Sequence, residues 1–278
     1  DILRRKSGSL GTTPRIEDDI PEILSGVADG CTTGAPLTII FRNNNIKSQD
    51  YSSFREVPRP GHADFVASIK YNFHNDIRGG GHFSGRLTLP LVAAGVVAKK
   101  VIDPISISAR LIQAGGINLD CPPMEDSRFV ALLKNTIGEG DSLGGVVECR
   151  CTNVPIALGE PFFNSVESMI SHAMFSIPGV RGVEFGDGFA ASAMKGSQHN
   201  DCYIDNEGRC ATNGAGGVNG GLTNGNEVIF RVAFKPTSSI SKVQRSYNFI
   251  SEQVEEISIP GRHDACFALR TPVVVEAM

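Results

Sequence analysis

The chain has 278 residues, a formal net charge of -4, 41% hydrophobic residues and 20% charged residues. This length allows one large hydrophobic core or two smaller ones, and the composition is that of a folded globular protein rather than a disordered one. The mild acidity gives no reason to expect nucleic-acid binding, and the longest apolar run, LPLVAAGVVA, is too short to span a bilayer.

The cysteines indicate the compartment. Seven are present, an odd number, and the sequence has no Cys-x-x-Cys, which argues against a disulfide framework and against a zinc ribbon. Cys149 and Cys151 are two residues apart, so on a strand they would share one face as reduced thiols. The start of the chain, DILRRK, lacks the apolar segment of a signal peptide. We therefore expect a reducing, cytoplasmic environment and no membrane association.

The first predicted elements are a strand and a buried helix. Residues 35–43, APLTIIFRN, have β-branched residues at their centre, as strands do. A stretch rich in glycine follows. Residues 89–102, LPLVAAGVVAKKVI, are apolar nearly all round and end in lysines, which predicts a helix in the core.

The later elements continue this alternation. Helices are predicted over residues 127–137 and 165–177, each beginning at a serine that can cap it. Residues 144–154, GGVVECRCTNV, and 227–235, EVIFRVAFK, are predicted strands, the second with alternating apolar and polar residues. The spacing is not that of regular βαβ units, so we predict an α+β fold of antiparallel sheets packed against helices. Pro272 in the closing segment, TPVVVEAM, suits the first turn of a helix.

Polar segments that contain glycine, histidine and arginine lie between the apolar elements. The first covers residues 59–86 and contains three of the six histidines, a run of three glycines and four basic residues. The others cover residues 213–225, 235–241 and 260–265. Each segment by itself is explained as an ordinary turn or loop. Together they predict a pocket for a small polyanion with proton transfer, because glycine admits close ligand approach, arginine binds carboxylate and phosphate, and histidine exchanges protons near neutral pH.

The sequence lacks the motifs of two other kinds of site, the P-loop and the metal site. The sequence has no Gly-x-x-x-x-Gly-Lys-Ser/Thr for a phosphate-binding P-loop, and no His-x-x-x-His or carboxylate cluster that points to a metal. We therefore expect no metal site. A phosphate-binding structural domain remains a generic alternative at this point.

The residues resemble the chorismate synthase family along nearly the whole chain. The matching segments, in order, include EILSGVADGCTTGAPL, KSQDYS, RPGHAD, RGGGHFSGR, VAAGVVAKK, GDSLGGVVE, SIPGVRGVEFGDGF, GSQHND, NGAGGVNGGLTNG, FRVAFKPTSSI and GRHDAC. The resemblance implies a helical layer sandwiched between antiparallel β-sheets, one domain over residues 1–278, and a homotetramer.

The resemblance also implies an activity. The family converts 5-enolpyruvylshikimate 3-phosphate to chorismate and phosphate by a 1,4-anti elimination, the last common step toward aromatic amino acids. The reaction requires reduced FMN without net redox change, and in some members NADPH is the reductant of the flavin. A non-catalytic flavin- or anion-binding remnant of the fold is the alternative.

Site residues follow from the matching motifs. His62 would be the acid beside the reduced flavin, and Asp264 would help to take up a proton from it or would orient Arg262. The substrate would be bound by Arg5, Arg59, Arg86 and Arg262. The flavin would be bound by His82, Phe83, Ser84, Pro178, Gly179, Gly220, Lys235, Pro236, Thr237, Ser238, Ser239 and Arg262.

The sequence departs from the common family pattern at several positions. His82 and Phe83 stand where Arg and Ser are usual, Leu87 where Glu is usual, and Ala265 where Pro is usual. The family also begins with a segment containing Gly-Glu-Ser-His-Gly, whose histidine is thought to protonate the departing phosphate, and the sequence does not contain it. We expect this N-terminal catalytic segment, and the end of the C-terminal helix, to be missing from the chain.

Overall fold

The structure is a computed structural model that describes residues 1–15, 17–43, 53–259 and 263–278. Its helices are α1 Ile2–Arg5, α2 Asp64–Lys70, α3 Thr88–Val101, α4 Ser127–Gly138, α5 Val166–Phe175, α6 Gly196–His199 and α7 Pro272–Ala277. Its strands are β1 Pro21–Ser25, β2 Val27–Ala28, β3 Cys31–Thr32, β4 Thr38–Phe41, β5 Ser106–Ala114, β6 Ile117–Asn118, β7 Gly145–Thr152, β8 Val180–Phe185, β9 Val218–Asn219, β10 Leu222–Thr223, β11 Val228–Phe234, β12 Gln244–Asn248 and β13 Gln253–Ile257.

A five-stranded antiparallel sheet with the order β6–β5–β7–β11–β8 forms the centre of the fold. Its register places Cys149 between Ala109 on β5 and Phe230 on β11. Alternate residues of β11 are buried, as the sequence pattern predicts, because one face of this strand packs into the core. Cys149 belongs to that core and Cys151 packs against it, which agrees with the prediction that the two share a face.

Helices lie against this sheet in a layer. α7 contacts β5 and β7, α3 contacts α7, and α3 also contacts β4 of the β1–β4 hairpin. Gly95 in α3 makes the close approach possible, since an ideal Cβ at this position would lie 2.4 Å from the Cβ of Ala277. Helices packed against antiparallel sheets confirm the predicted α+β class.

The predicted helix over residues 89–102 is buried along one face only. Leu89, Val92 and Ala93 are buried, whereas Val101 is 78% exposed. The prediction of a wholly buried helix was therefore wrong for its second half. The physical reason is that Gly95 is where α3 meets the end of α7, and the apolar residues beyond that crossing point include some that face solvent.

The caps of two helices differ in how well the sequence predicted them. Ser165 caps α5 as predicted, with its hydroxyl accepting from the backbone N–H of Ser168. The cap of α4 is Asp126 rather than the predicted Ser127, because the Asp126 carboxylate accepts from the backbone N–H groups of Arg128 and Phe129. Among the described residues, no helix is long and apolar enough to cross a membrane.

Candidate active site

A cavity of about 670 Å³ lies where the glycine-rich segment meets the loop that follows β11. This volume is within the usual range for small-molecule and cofactor sites. Its walls also include the segment before β8, part of α1 and the residues before α7. Segments far apart in the sequence therefore converge on one concave surface.

Most of the predicted site residues line this cavity. They are Arg5, Arg59, His62, His82, Phe83, Ser84, Pro178, Gly179, Lys235, Pro236, Thr237, Ser238, Ser239 and Asp264. Three of the four polar segments from which the pocket was inferred, residues 59–86, 235–241 and 260–265, contribute described residues to this cavity. The fourth, residues 213–225, does not line it in the described part of the chain.

Two of the predicted residues that the structure describes are not part of this lining, and a third lies outside the described residues. Arg86 lies beside the cavity, where its guanidinium forms an ion pair with Glu17. Gly220 is in the tight turn between β9 and β10, with a positive φ of 61°, and does not line the cavity in the described part of the chain. Arg262 is outside the described residues.

His62, Asp64 and Arg59 form a compact cluster at one wall. Asp64 is the first residue of α2 and is 5% exposed. Its carboxylate accepts from His62 Nδ1 at 2.6 Å, from Arg59 Nε at 2.7 Å and from Arg59 Nη2 at 2.9 Å. Burial opposes ionisation of Asp64, but the hydrogen bonds from Arg59 and His62 outweigh it and hold the pKa of the carboxyl well below its usual range. Asp64 was not among the predicted site residues, although its place two residues after His62 in RPGHAD was a usable signal.

The loop after β11 is hydrogen-bonded to the same wall. Ser239 Oγ accepts from Arg59 Nη1 at 3.0 Å, and Ser238 Oγ donates to the carbonyl oxygen of Gly61 at 2.8 Å. Lys235 Nζ also donates to Gly61 O. Thr237 lines the cavity, and its buried Oγ1 has no hydrogen-bond partner within the described structure. Such a group is normally satisfied, so it suits a bound ligand with complementary polar atoms.

Asp264 also lines the cavity, and both of its carboxylate oxygens accept hydrogen bonds. Oδ2 accepts from Arg270 Nη2 at 2.6 Å and Oδ1 accepts from the backbone N–H of Thr13 at 2.8 Å. Arg270 also donates to the backbone carbonyl of Arg5 at 3.3 Å. Arg270 was missed by the sequence analysis, because no local motif marks an arginine whose partner is set by the fold.

The cavity lining is strongly cationic. Burial and the neighbouring Arg270 lower the pKa of Arg5 to about 10. Burial and Arg181 lower the pKa of Lys235. In the described part of the chain, neither Arg181 nor Lys235 has a carboxylate within ion-pair distance, so both remain available to a bound anion.

These features suit a polyanionic ligand. Arginine forks bind carboxylates and phosphates in two-point contacts, and Gly61 and Gly179 line the cavity without a side chain. No cluster of three or more potential metal ligands occurs among the residues that the structure describes.

Comparisons with known proteins identify the family. The profile of the chorismate synthase family matches residues 1–278. The chain is 58% identical over 279 residues to a chorismate synthase of Chitinophaga pinensis, covering all of this chain and 81% of the relative. It is 46% identical over 298 residues to a chorismate synthase of Korarchaeum cryptofilum, covering 99% of this chain and 82% of the relative.

The fold agrees with this relationship. A crystal structure of a chorismate synthase superimposes with a TM-score of 0.69 and 29% sequence identity, covering 92% of this chain and 74% of that chain. The order of the matching sequence segments, the α+β architecture and the cationic cavity all agree with this likeness. The chain belongs to the chorismate synthase family.

Proposed function

We propose that this protein converts 5-enolpyruvylshikimate 3-phosphate to chorismate and phosphate by an FMN-dependent 1,4-anti elimination, the last step of the shikimate pathway. The observation that carries the proposal is a single cavity whose lining includes both His62 and Asp264 and several arginines, on a chain closely similar to chorismate synthases.

The substrate has two carboxylates and one phosphate, so it needs fixed positive partners when it leaves water. Arg5 and Arg59 line the cavity and are proposed to bind these anionic groups. Arg86 and Arg262 are proposed to complete the substrate site. Arg86 would then exchange its ion pair with Glu17 for a substrate oxygen, or would be held in place by Glu17.

The residues present fit FMN. The unpartnered hydroxyl of Thr237, the Ser238 and Ser239 hydroxyls and the ammonium of Lys235 offer polar contacts along one wall. Together with His82, Phe83, Ser84, Pro178, Gly179 and Pro236 they would hold the cofactor, and Gly220 and Arg262 are proposed as further contacts. Bound by these residues, reduced FMN would supply reversible one-electron chemistry to the elimination.

His62 and Asp264 are proposed to transfer protons during the reaction. Because Asp64 accepts from His62 Nδ1, the other ring nitrogen, Nε2, is the atom from which a proton is supplied; it lies near Gly80, at whose position an ideal Cβ would be 3.9 Å from Nε2. Asp264 accepts a proton or, alternatively, orients the neighbouring arginines.

Residues 1–278 are proposed to form one domain, and the protein is proposed to act in the cytoplasm as a homotetramer with NADPH as a possible reductant of the flavin. Light scattering on the purified protein tests the assembly: a mass of four protomers is expected, and a stable monomer would contradict it.

Turnover by the protein expressed from its complete gene tests the function. Under anaerobic conditions with chemically reduced FMN, chorismate and phosphate should form in equal amounts. Binding of FMN and substrate without product would favour the non-catalytic remnant. The same assay with oxidised FMN and NADPH shows whether the protein reduces its own flavin.

A further inference from the structure

Asp64 is a buried carboxylate of the cavity wall to which neither the sequence motifs nor the proposed reaction gives a role. It accepts one hydrogen bond from His62 and three from Arg59, the last including the backbone N–H of Arg59 at 3.1 Å. Its side chain does not line the cavity, so it acts on a ligand only through these two residues.

The contact with His62 determines which ring nitrogen carries the proton. An ionised carboxylate can only accept, so the 2.6 Å contact requires a hydrogen on Nδ1 of His62. Nε2 then carries the lone pair in the neutral ring and the exchangeable proton in the charged ring. In many enzymes a general acid or base is oriented by a further group that hydrogen-bonds to it. Asp64 is such a group for His62.

The contact between Asp64 and Arg59 affects the charge that surrounds His62. Arg59 Nη2, which can only donate, lies 3.1 Å from Nδ1 and 3.3 Å from Nε2 of His62. The imidazole ring therefore lies against a permanent cation. Asp64 contacts both groups, and its negative charge offsets that of Arg59 at the point where His62 must carry a proton.

We propose that Asp64 is a positioning residue for the reaction: it fixes His62 with the proton on Nδ1, so that Nε2 serves the cavity, and it neutralises Arg59 beside the ring. The proposal rests on the proposed function for its effect on turnover, but its effect on the His62 ring is independent of any activity.

The first test is the ring itself. In protein labelled with ¹⁵N-histidine, the His62 signals are assigned by their loss in the His62→Gln variant. The unmodified protein should show a protonated Nδ1 and an unprotonated Nε2, and the Asp64→Asn variant should lose this single tautomer. A protonated Nε2 in the neutral ring of the unmodified protein, or an unchanged tautomer in Asp64→Asn, would overturn the proposal even if the protein is an active chorismate synthase.

The second test is kinetic. Asp64→Asn should lower kcat by about 10- to 100-fold, a part of what a positioned acid contributes, while the affinity for FMN changes by less than about 3-fold. Asp64→Glu, which keeps the charge, should recover part of the loss. A parallel fall in kcat, substrate affinity and FMN affinity would instead mean that Asp64 only supports the wall formed by Arg59, and would refute the positioning of His62.

The chain offers a matched control. Asp76 accepts from the backbone N–H, Nε and Nη2 of Arg78, the same set of donors that Arg59 gives to Asp64. This pair is exposed, and among the described residues no histidine contacts its carboxylate. Asp76→Asn should leave both the His62 signals and kcat unchanged.

Discussion

Asp264 is the residue whose two possible roles the structure separates best. Its carboxylate binds Arg270 and the backbone N–H of Thr13, whereas the sequence analysis considered only Arg262 as an orienting partner. If Asp264 transfers a proton, the reaction requires its carboxylate. If Asp264 orients a neighbouring group, the reaction requires the ion pair between Asp264 and Arg270. Substitutions on the two sides of the ion pair therefore have different expected effects.

We predict that Asp264→Asn lowers kcat by about 100- to 10,000-fold, as expected for loss of a proton-transfer group. Arg270→Gln leaves the Asp264 carboxylate in place, so its loss of kcat should be about 10-fold smaller than the loss in Asp264→Asn. The measurement is steady-state turnover under anaerobic conditions. Near-normal turnover in Asp264→Asn would exclude proton transfer, and equal, non-additive losses in the two variants would indicate that the pair acts only by orientation.

The loop after β11 is the element on which the flavin proposal depends most. Ser238 and Ser239 connect it to Gly61 and Arg59, so the loop is positioned by the same segment that carries His62. A defect in the loop should therefore affect cofactor binding rather than the fold of β11.

We predict that the double substitution Ser238→Ala and Ser239→Ala weakens FMN binding. Each lost hydroxyl contact is worth about 1 kcal/mol, so the dissociation constant should rise by about 10- to 100-fold. Ser241→Ala is the control, since Ser241 is exposed and does not line the cavity, and among the described residues its hydroxyl makes only a 3.4 Å contact with Gly140 O. Flavin titration followed by fluorescence measures both, and unchanged affinity in the double variant would remove this loop from the FMN site.

The contact between α3 and α7 depends on a glycine in α3. Gly95 is in a helix interior, where alanine would be favoured by about 1 kcal/mol on intrinsic propensity. Here the added Cβ would lie 2.4 Å from the Cβ of Ala277, which forces the two helices apart. Packing should outweigh propensity at this position.

We predict that Gly95→Ala lowers the free energy of unfolding by about 1–3 kcal/mol, in the range for an overpacked core. Gly138→Ala is the matched control: Gly138 is an exposed helical glycine of α4 with no heavy atom near its ideal Cβ, and the same change there should be neutral or stabilising. Urea unfolding at neutral pH measures both variants. A stabilised Gly95→Ala protein would show that the helices are not in contact at this residue.

At the scale of the whole molecule, the paired carboxylates set the response of stability to acid. Hydrogen bonds from Arg128, opposed in part by burial, lower the pKa of Asp126 to about 2, and the pKa of Asp64 is also well below its ordinary value. A carboxyl whose folded pKa is depressed contributes stability that is fully present above the unfolded pKa, near 4, and is lost as the pH falls through the folded pKa.

We predict that the free energy of unfolding changes little between pH 7 and about pH 5 and falls progressively below about pH 4. The fall should be smaller in Asp64→Asn and Asp126→Asn, because each variant lacks one of the depressed groups. Urea unfolding at a series of pH values, at fixed ionic strength, is the measurement. Stability that stays constant down to pH 3 would contradict the low folded pKa values.

The elements could be predicted from the sequence because their causes are local, and the family could be predicted from the resemblance of its motifs. The buried alternation of β11 follows from side chains that point to opposite faces of a strand, and the cap of α5 depends on Ser165 and Ser168 alone. The segments of the cavity were also predicted, since glycine, arginine and histidine have the same chemistry wherever the chain carries them.

What the tertiary structure alone decided is how these residues are paired. Thr13 and Asp264 are 251 positions apart, yet they share a hydrogen bond, and Arg86, which motif reasoning assigned to the substrate, lies outside the cavity lining with Glu17 as its partner. The exposure of Val101 depends likewise on where α3 crosses α7. The sequence by itself determined which chemical groups the site contains, because that depends on residue type and local geometry. Their partners, burial and charge balance depend on contacts between segments remote in the chain, and only the packed fold brings those segments together.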